Sequence, residues 1–188
     1  MSTERTGIDW LIGNWRGWGI WNGYGLKDQV VLEHLDIRDD GGPYLQAQST
    51  HYLAAGGTIA GDADARSGYS QLSRGEIWVH ETYYLRVDPT LAGRQLERYP
   101  IELMLANPAG YVVAGSGVAE VGPHQSRLAV ASDTITRTNT GADIDQLERH
   151  YLWRGDELFI RATMSAFGYT AVPYLNMRLA KEDDDATR

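Results

Sequence analysis

Short runs rich in β-branched and aromatic residues recur along nearly the whole chain, separated by turn signals. The runs span residues 13–21, 30–37, 44–53, 77–87, 101–105, 111–121, 128–136, 146–153, 158–165 and 172–179. Asp39-Asp40-Gly41-Gly42, Asn107-Pro108-Ala109-Gly110 and Arg154-Gly155-Asp156 are tight-turn sequences between neighbouring runs. About ten strands at a spacing of about 10 to 15 residues leave no room for a helical layer. The pattern predicts an all-β fold, a single antiparallel up-and-down β-barrel. Closure removes the sheet edges, and a barrel of this strand number can hold one small ligand.

Less regular segments fit the same reading. Ile8 to Leu11 predicts one short helical turn, and 54–74 and 88–97 read as loops. Residues 1–7 read as a flexible N-terminus, 8–181 as the barrel, and 182–188 as an acidic flexible tail carrying Glu182, Asp183, Asp184 and Asp185.

Composition narrows the function classes. The 21 glycines, with 11 Tyr and 6 Trp against 2 Phe, suit short strands and tight turns. Without cysteine there are no disulfides, thiol nucleophiles or Cys-ligated metals, which fits a reducing cytoplasm. A net charge of −8 argues against a nucleic-acid partner. No apolar stretch is long enough for a membrane-spanning helix. A homodimer through one barrel face is compatible with the sequence, but no outward apolar stripe demands it.

Period two leaves several candidate site residues open. His34, His51, His80, His124 and His150 are scattered singly, in no metal-ligand spacing. In 77–87, Trp78, His80, Thr82, Tyr84 and Arg86 share one face, and Val79, Glu81, Tyr83 and Leu85 the other. Both faces are mixed, so the inward side is undetermined. If Glu81 faces inward, it becomes an acid or base candidate. Glu81, His80, His51 and Tyr83 are therefore the catalytic candidates for a cofactor-free isomerase or cyclase acting on a hydrophobic molecule. That enzyme is the alternative; the first reading is a binding protein with a hydrophobic pocket.

Gly13-x-Trp15-x-Gly17-x-Gly19 resembles the opening motif of the nitrobindin family, the fatty-acid-binding-protein-like heme barrels of calycin type. Glu81-Thr-Tyr-Tyr-Leu-Arg86 is similar to that family's Glu-x-Gly-aromatic-x-Arg strand. Ile101 to Gly110 is similar to its Glu-containing strand and following turn. Met164 and Leu175-x-x-x-Leu179 fit its last two strands. The resemblance implies a ten-stranded barrel, heme b as candidate cofactor, and nitric oxide or peroxynitrite chemistry. It sets Trp15, Met164, Tyr174 and Leu175 beside the cofactor, and the likeness to calycin-type barrels implies that Arg178 packs over Trp15 as a guanidinium-on-indole contact.

Three departures accompany it. The family's iron-ligating histidine, just before a Leu, corresponds to Tyr174, and no histidine follows His150. Tyr174 is thus the metal-ligand candidate if heme is bound, and it would have to act as a phenolate. The family's Tyr-Pro-Thr segment is replaced by Trp21-Asn-Gly-Tyr-Gly25, and Tyr83 stands where the family has Gly.

Overall fold

The structure is a computed structural model and describes residues 7–182 except 24–26, 61, 92, 93 and 95. The N-terminus before Gly7, the Tyr24-Gly25 part of the departing segment and the tail after Glu182 lie outside the described residues. The remainder forms ten strands: β1 (Gly13–Trp21), β2 (Gln29–Asp39), β3 (Tyr44–Gly56), β4 (Ser73–Val87), β5 (Arg98–Asn107), β6 (Tyr111–Val121), β7 (Gln125–Arg137), β8 (Ile144–Arg154), β9 (Glu157–Ala166) and β10 (Val172–Lys181).

Each strand pairs antiparallel with its sequence neighbours, and β1 closes the barrel against β10 with Trp15 opposite Lys181 and Trp21 opposite Leu175. Closure at this seam depends on glycine. A Cβ on Gly17 would collide with the Arg178 carbonyl oxygen and the Leu179 backbone, so only a hydrogen atom lets the two strands approach. The expected barrel and strand count are therefore both present, with the strands one to four residues longer at most ends.

Side-chain alternation decides the interior. Along β5, Tyr99, Ile101, Leu103 and Leu105 are buried while Glu102, Met104 and Ala106 are exposed. The same alternation along β4 puts Glu81, Tyr83, Leu85 and Val87 inside. At one end Trp15, Leu35, Ile37, Leu85 and Leu179 form a dry core with Ile8 and Leu11. A 3-10 turn at Asp9–Leu11, where one short helical turn was expected, closes that end, and the Trp15 indole donates to the Leu11 carbonyl at 2.8 Å.

Two expectations need correction. Residues 54–74 are not all loop: β3 runs to Gly56, β4 begins at Ser73, and a short helix α1 (Ala65–Ser70) lies between them. Asp64 caps α1 through the Ser67 N–H at 2.7 Å, and Glu157 of β9 accepts from the Ala65 N–H at 2.8 Å. So a tertiary carboxylate holds the helix, which its Gly- and Ser-containing sequence would not sustain alone.

Arg178 does not sit over Trp15. It donates to both Glu157 carboxylate oxygens at 2.8 Å, and its guanidinium lies over Phe159. Lys181, directly opposite Trp15 in the register, takes the indole face instead. The outer wall also carries an apolar patch that the sequence did not mark, where Met104 and Val112 are 55% and 48% exposed.

Candidate functional site

The barrel end opposite Trp15 is not filled. It holds a cavity of about 360 Å³. Trp21, Val31, Trp78, Ile144, Met164 and Leu175 supply much of its apolar wall, and Phe167 stands beside them. Trp21 and Trp78 meet edge to face, with ring centroids 5.2 Å apart. Phe167 holds a left-handed backbone at φ 54, which turns the chain between β9 and β10 at the mouth.

The other lining side chains are polar and come from several strands: His51 of β3, Glu81 of β4, Asn107 of β5, Tyr111 of β6, Arg149 of β8 and Tyr174 of β10. Arg149 is inward because β8 alternates, with Leu147, Arg149 and Tyr151 buried. An Nη2 of Arg149 reaches Glu81 Oε1 at 2.5 Å, and Asn107 donates to Glu81 Oε2 at 3.1 Å. Burial works against the guanidinium's charge, but Glu81 outweighs it and holds the Arg149 pKa well above its ordinary value.

A second buried pair lies close by. Ser49 donates to Glu33 Oε1 at 2.7 Å, and His51 Nε2 faces the same oxygen at 3.5 Å. Burial pushes the Glu33 carboxyl up, but the charge of His51 and the hydrogen bond from Ser49 outweigh it and hold it below its ordinary value. Burial likewise disfavours the imidazolium, yet Glu33 lifts His51 above its ordinary value.

The tyrosines complete the polar region. Burial pushes the Tyr174 phenol up to about 12, although Arg149 opposes the rise. Tyr83 and Tyr151 are fully buried, burial raises both, and the Tyr83 ring lies 5.4 Å from the Arg149 guanidinium carbon. Arg149 Nε and the Tyr151 hydroxyl have no hydrogen-bond partner in the protein.

These positions sort the candidate residues. Glu81 and His51 line the cavity, but each is engaged in an ion pair. Tyr83 faces inward yet lies outside the cavity lining, against Arg149. His80 points outward, where Nδ1 meets the Thr50 hydroxyl at 2.8 Å, so the structure removes it from the interior set. Met164, Tyr174 and Leu175 line the cavity. Trp15 is buried at the closed end and does not.

Arg149 and Glu33 were missed as site residues. Their signal was available, because each interrupts an apolar inward face: Leu147, Arg149, Tyr151 and Val31, Glu33, Leu35.

A closed ten-stranded β-barrel with a cavity at one end is the class this geometry defines. Within that class, residues 5–181 match the model of the THAP4-like, heme-binding β-barrel domain, and the chain belongs to that family. A ferric nitrobindin-like protein of Beutenbergia cavernae is 30% identical, over 96% of this chain and 95% of its own. A protein of Frankia casuarinae named peroxynitrite isomerase is 27% identical, over 94% and 85%. The crystal structure of Rv2717c from M. tuberculosis shares the fold with a TM-score of 0.75, at 22% identity over 97% of this chain and 99% of its own.

The family's heme can be tested against the donors that line this cavity. His51 Nε2 stands 3.5 Å from Glu33 Oε1, and that carboxylate favours the imidazolium over the neutral ring that ligates iron. Tyr174 is a phenol held protonated to about 12. Met164 offers a thioether, which cytochromes pair with a histidine. These residues do not fit ligation of an iron by neutral imidazole. No cluster of three or more His, Cys, Asp or Glu that could hold a metal ion occurs among the described residues.

Proposed function

We propose that this chain is a small-ligand-binding barrel that takes a hydrophobic molecule into the cavity at its open end. One observation carries the reading: a cavity of about 360 Å³ with tryptophan and aliphatic walls and a paired, buried polar floor. A few fixed polar groups within an apolar concavity orient a ligand, and the apolar wall supplies the affinity. The volume lies within the ligand-pocket range of about 300–1,000 Å³. The absence of cysteine supports a cytoplasmic setting.

Heme b is the ligand to set against this reading, because the family description names it. The missing imidazole argues for a hydrophobic ligand other than iron-ligated heme. Acid–base catalysis by Glu81 and His51 has little support, since each is committed to a buried ion pair.

The test is a pair of titrations on the purified protein. The neutral dye Nile red should bind saturably, and hemin should give no Soret shift that Tyr174→Phe abolishes. Failure of Nile red to bind a folded sample would overturn the pocket. A Soret band lost in Tyr174→Phe would restore heme, held by a phenolate.

A further inference from the structure

The polar floor bears on the charge of the ligand as well as its orientation. Arg149 lines the cavity, yet its charge is already neutralised by Glu81 at 2.5 Å. Both oxygens of that carboxylate are occupied, one by Arg149 and the other by Asn107. His51 Nε2 and Glu33 Oε1 approach to 3.5 Å nearby, with Nε2 and the second Glu33 oxygen left without a hydrogen bond. The Glu81–Arg149 pair itself carries no excess charge.

Its hydrogen-bonding capacity is not balanced in the same way. Arg149 has five N–H donors and no acceptor. Its Nε is buried without a partner, as is the Tyr151 hydroxyl. Tyr174 lines the same cavity and brings a phenolic O–H that can donate. Around Arg149 the floor is thus rich in donors and electrically neutral.

We infer that the Glu81–Arg149 pair makes the cavity select apolar ligands ending in a neutral hydrogen-bond acceptor, a ketone or ester carbonyl, over the corresponding carboxylates. This deepens the proposed binding function and rests on it. A carbonyl oxygen can accept from Arg149 and Tyr174 without bringing charge. A carboxylate in the same place would stand close to Glu81 in a water-poor site, where like charges repel strongly. Glu81 is thereby a specificity-determining residue. It occupies the cation that would otherwise capture an anion.

Nile red displacement near neutral pH tests this with two amphiphiles of matched shape, methyl nonyl ketone and decanoate. In the wild type the ketone should displace the dye at a concentration about tenfold or more below decanoate. The ketone is also the more apolar of the two, so the deciding readout is the change in that ratio on substitution. Glu81→Gln frees the Arg149 charge, and the ratio should swing toward decanoate by about tenfold or more.

The double variant Glu81→Leu/Arg149→Met removes both charges together and serves if the single variant does not fold. It should keep binding the hydrocarbon dye diphenylhexatriene, which has no acceptor, but weaken the ketone and Nile red, itself a ketone, several-fold by loss of the donors. Decanoate preferred by the wild type, or a ratio unmoved by Glu81→Gln, would overturn this inference while leaving the pocket intact. So would ketone affinity unchanged in the double variant. Absence of dye and amphiphile binding in a folded wild type would overturn the pocket reading, and this inference with it.

Discussion

Glu81 and Arg149 meet at 2.5 Å across the barrel interior, from β4 and β8, with β5, β6 and β7 lying between those strands in the wall. Each is almost fully buried, so each is tolerable only because the other is present. Arg149→Met alone leaves a buried carboxylate with Asn107 as its remaining polar contact. It should cost about 3–5 kcal/mol of stability. Adding Glu81→Leu removes the stranded charge and should recover most of that loss. Urea unfolding midpoints of the two variants check this, and a double variant no more stable than Arg149→Met would contradict it.

The two partly or wholly buried histidines on β2 and β3 predict opposite pH dependences. His51 is raised above its ordinary 6.5 by Glu33, against the effect of burial, so the folded state binds its proton more tightly. That stabilisation is fully present below 6.5 and is lost as pH rises through the folded pKa. Glu33 is held below 4.5, so its share is present above 4.5 and is lost as pH falls through its own folded pKa. His34 is different: burial first, then Arg16 and Arg74, lower it to about 4, and Nε2 meets the Tyr69 hydroxyl. Its share is present above 6.5 and is lost as pH falls from 6.5 toward about 4. In unfolding midpoints measured across pH, His51→Gln should flatten the decline above 6.5. His34→Gln should flatten the decline between 6.5 and 4. A His51→Gln profile parallel to wild type above 6.5 would count against the buried pair.

Closure of the barrel at the β1–β10 seam predicts a sharp contrast between two glycines. Gly17→Ala puts a methyl into the Arg178 carbonyl oxygen, and backbone cannot swing aside as a side chain can. It should cost about 1–3 kcal/mol or more. Gly56, near the end of β3, has nothing within 4 Å of an added Cβ and no left-handed backbone. Gly56→Ala should leave stability unchanged or raise it by about 0.4–1 kcal/mol through the unfolded chain. Thermal midpoints of the two variants make the comparison, and equal midpoints would mean the seam tolerates a wider strand spacing.

Why the barrel was readable and its floor was not follows from these same residues. Strand identity is local: β6 at Tyr111–Val121 is bounded by Asn107-Pro108-Ala109-Gly110 on one side and Gly122-Pro123 on the other. The inward face of β4 is not local, because Glu81 is admitted to the interior only by an arginine 68 positions away, in a strand on another part of the wall. Arg149 itself looked like one charged residue among Glu148 and His150, although its neighbours at two-residue spacing were apolar. Helix α1 escaped notice because Glu157, far along the chain, supplies one of its N-terminal acceptors. Trp15 stood out in its glycine-flanked motif, but its place at the closed end, away from the cavity, was not legible. Its partner was misassigned because register, and not residue type, places Lys181 opposite it.

If the cavity is the binding site, filling it should abolish binding without unfolding the barrel. Ala142 lines the cavity from the connection between β7 and β8, where no strand hydrogen bond depends on its side chain. Ala142→Trp adds an indole to the lined space while leaving the Glu81–Arg149 and Glu33–His51 pairs in place. Ala114 faces the outer wall on β6, so Ala114→Trp adds the same indole where no interior ligand could meet it. The first variant should weaken Nile red binding by about tenfold or more, since a volume clash in a packed apolar site costs at least about 1–3 kcal/mol. The second should leave it unchanged. Both should unfold within a few degrees of wild type, as solvent-side and cavity-side additions disturb no packed core. Loss of dye in Ala114→Trp with binding kept in Ala142→Trp would place the binding surface outside the barrel, on the apolar patch around Met104 and Val112.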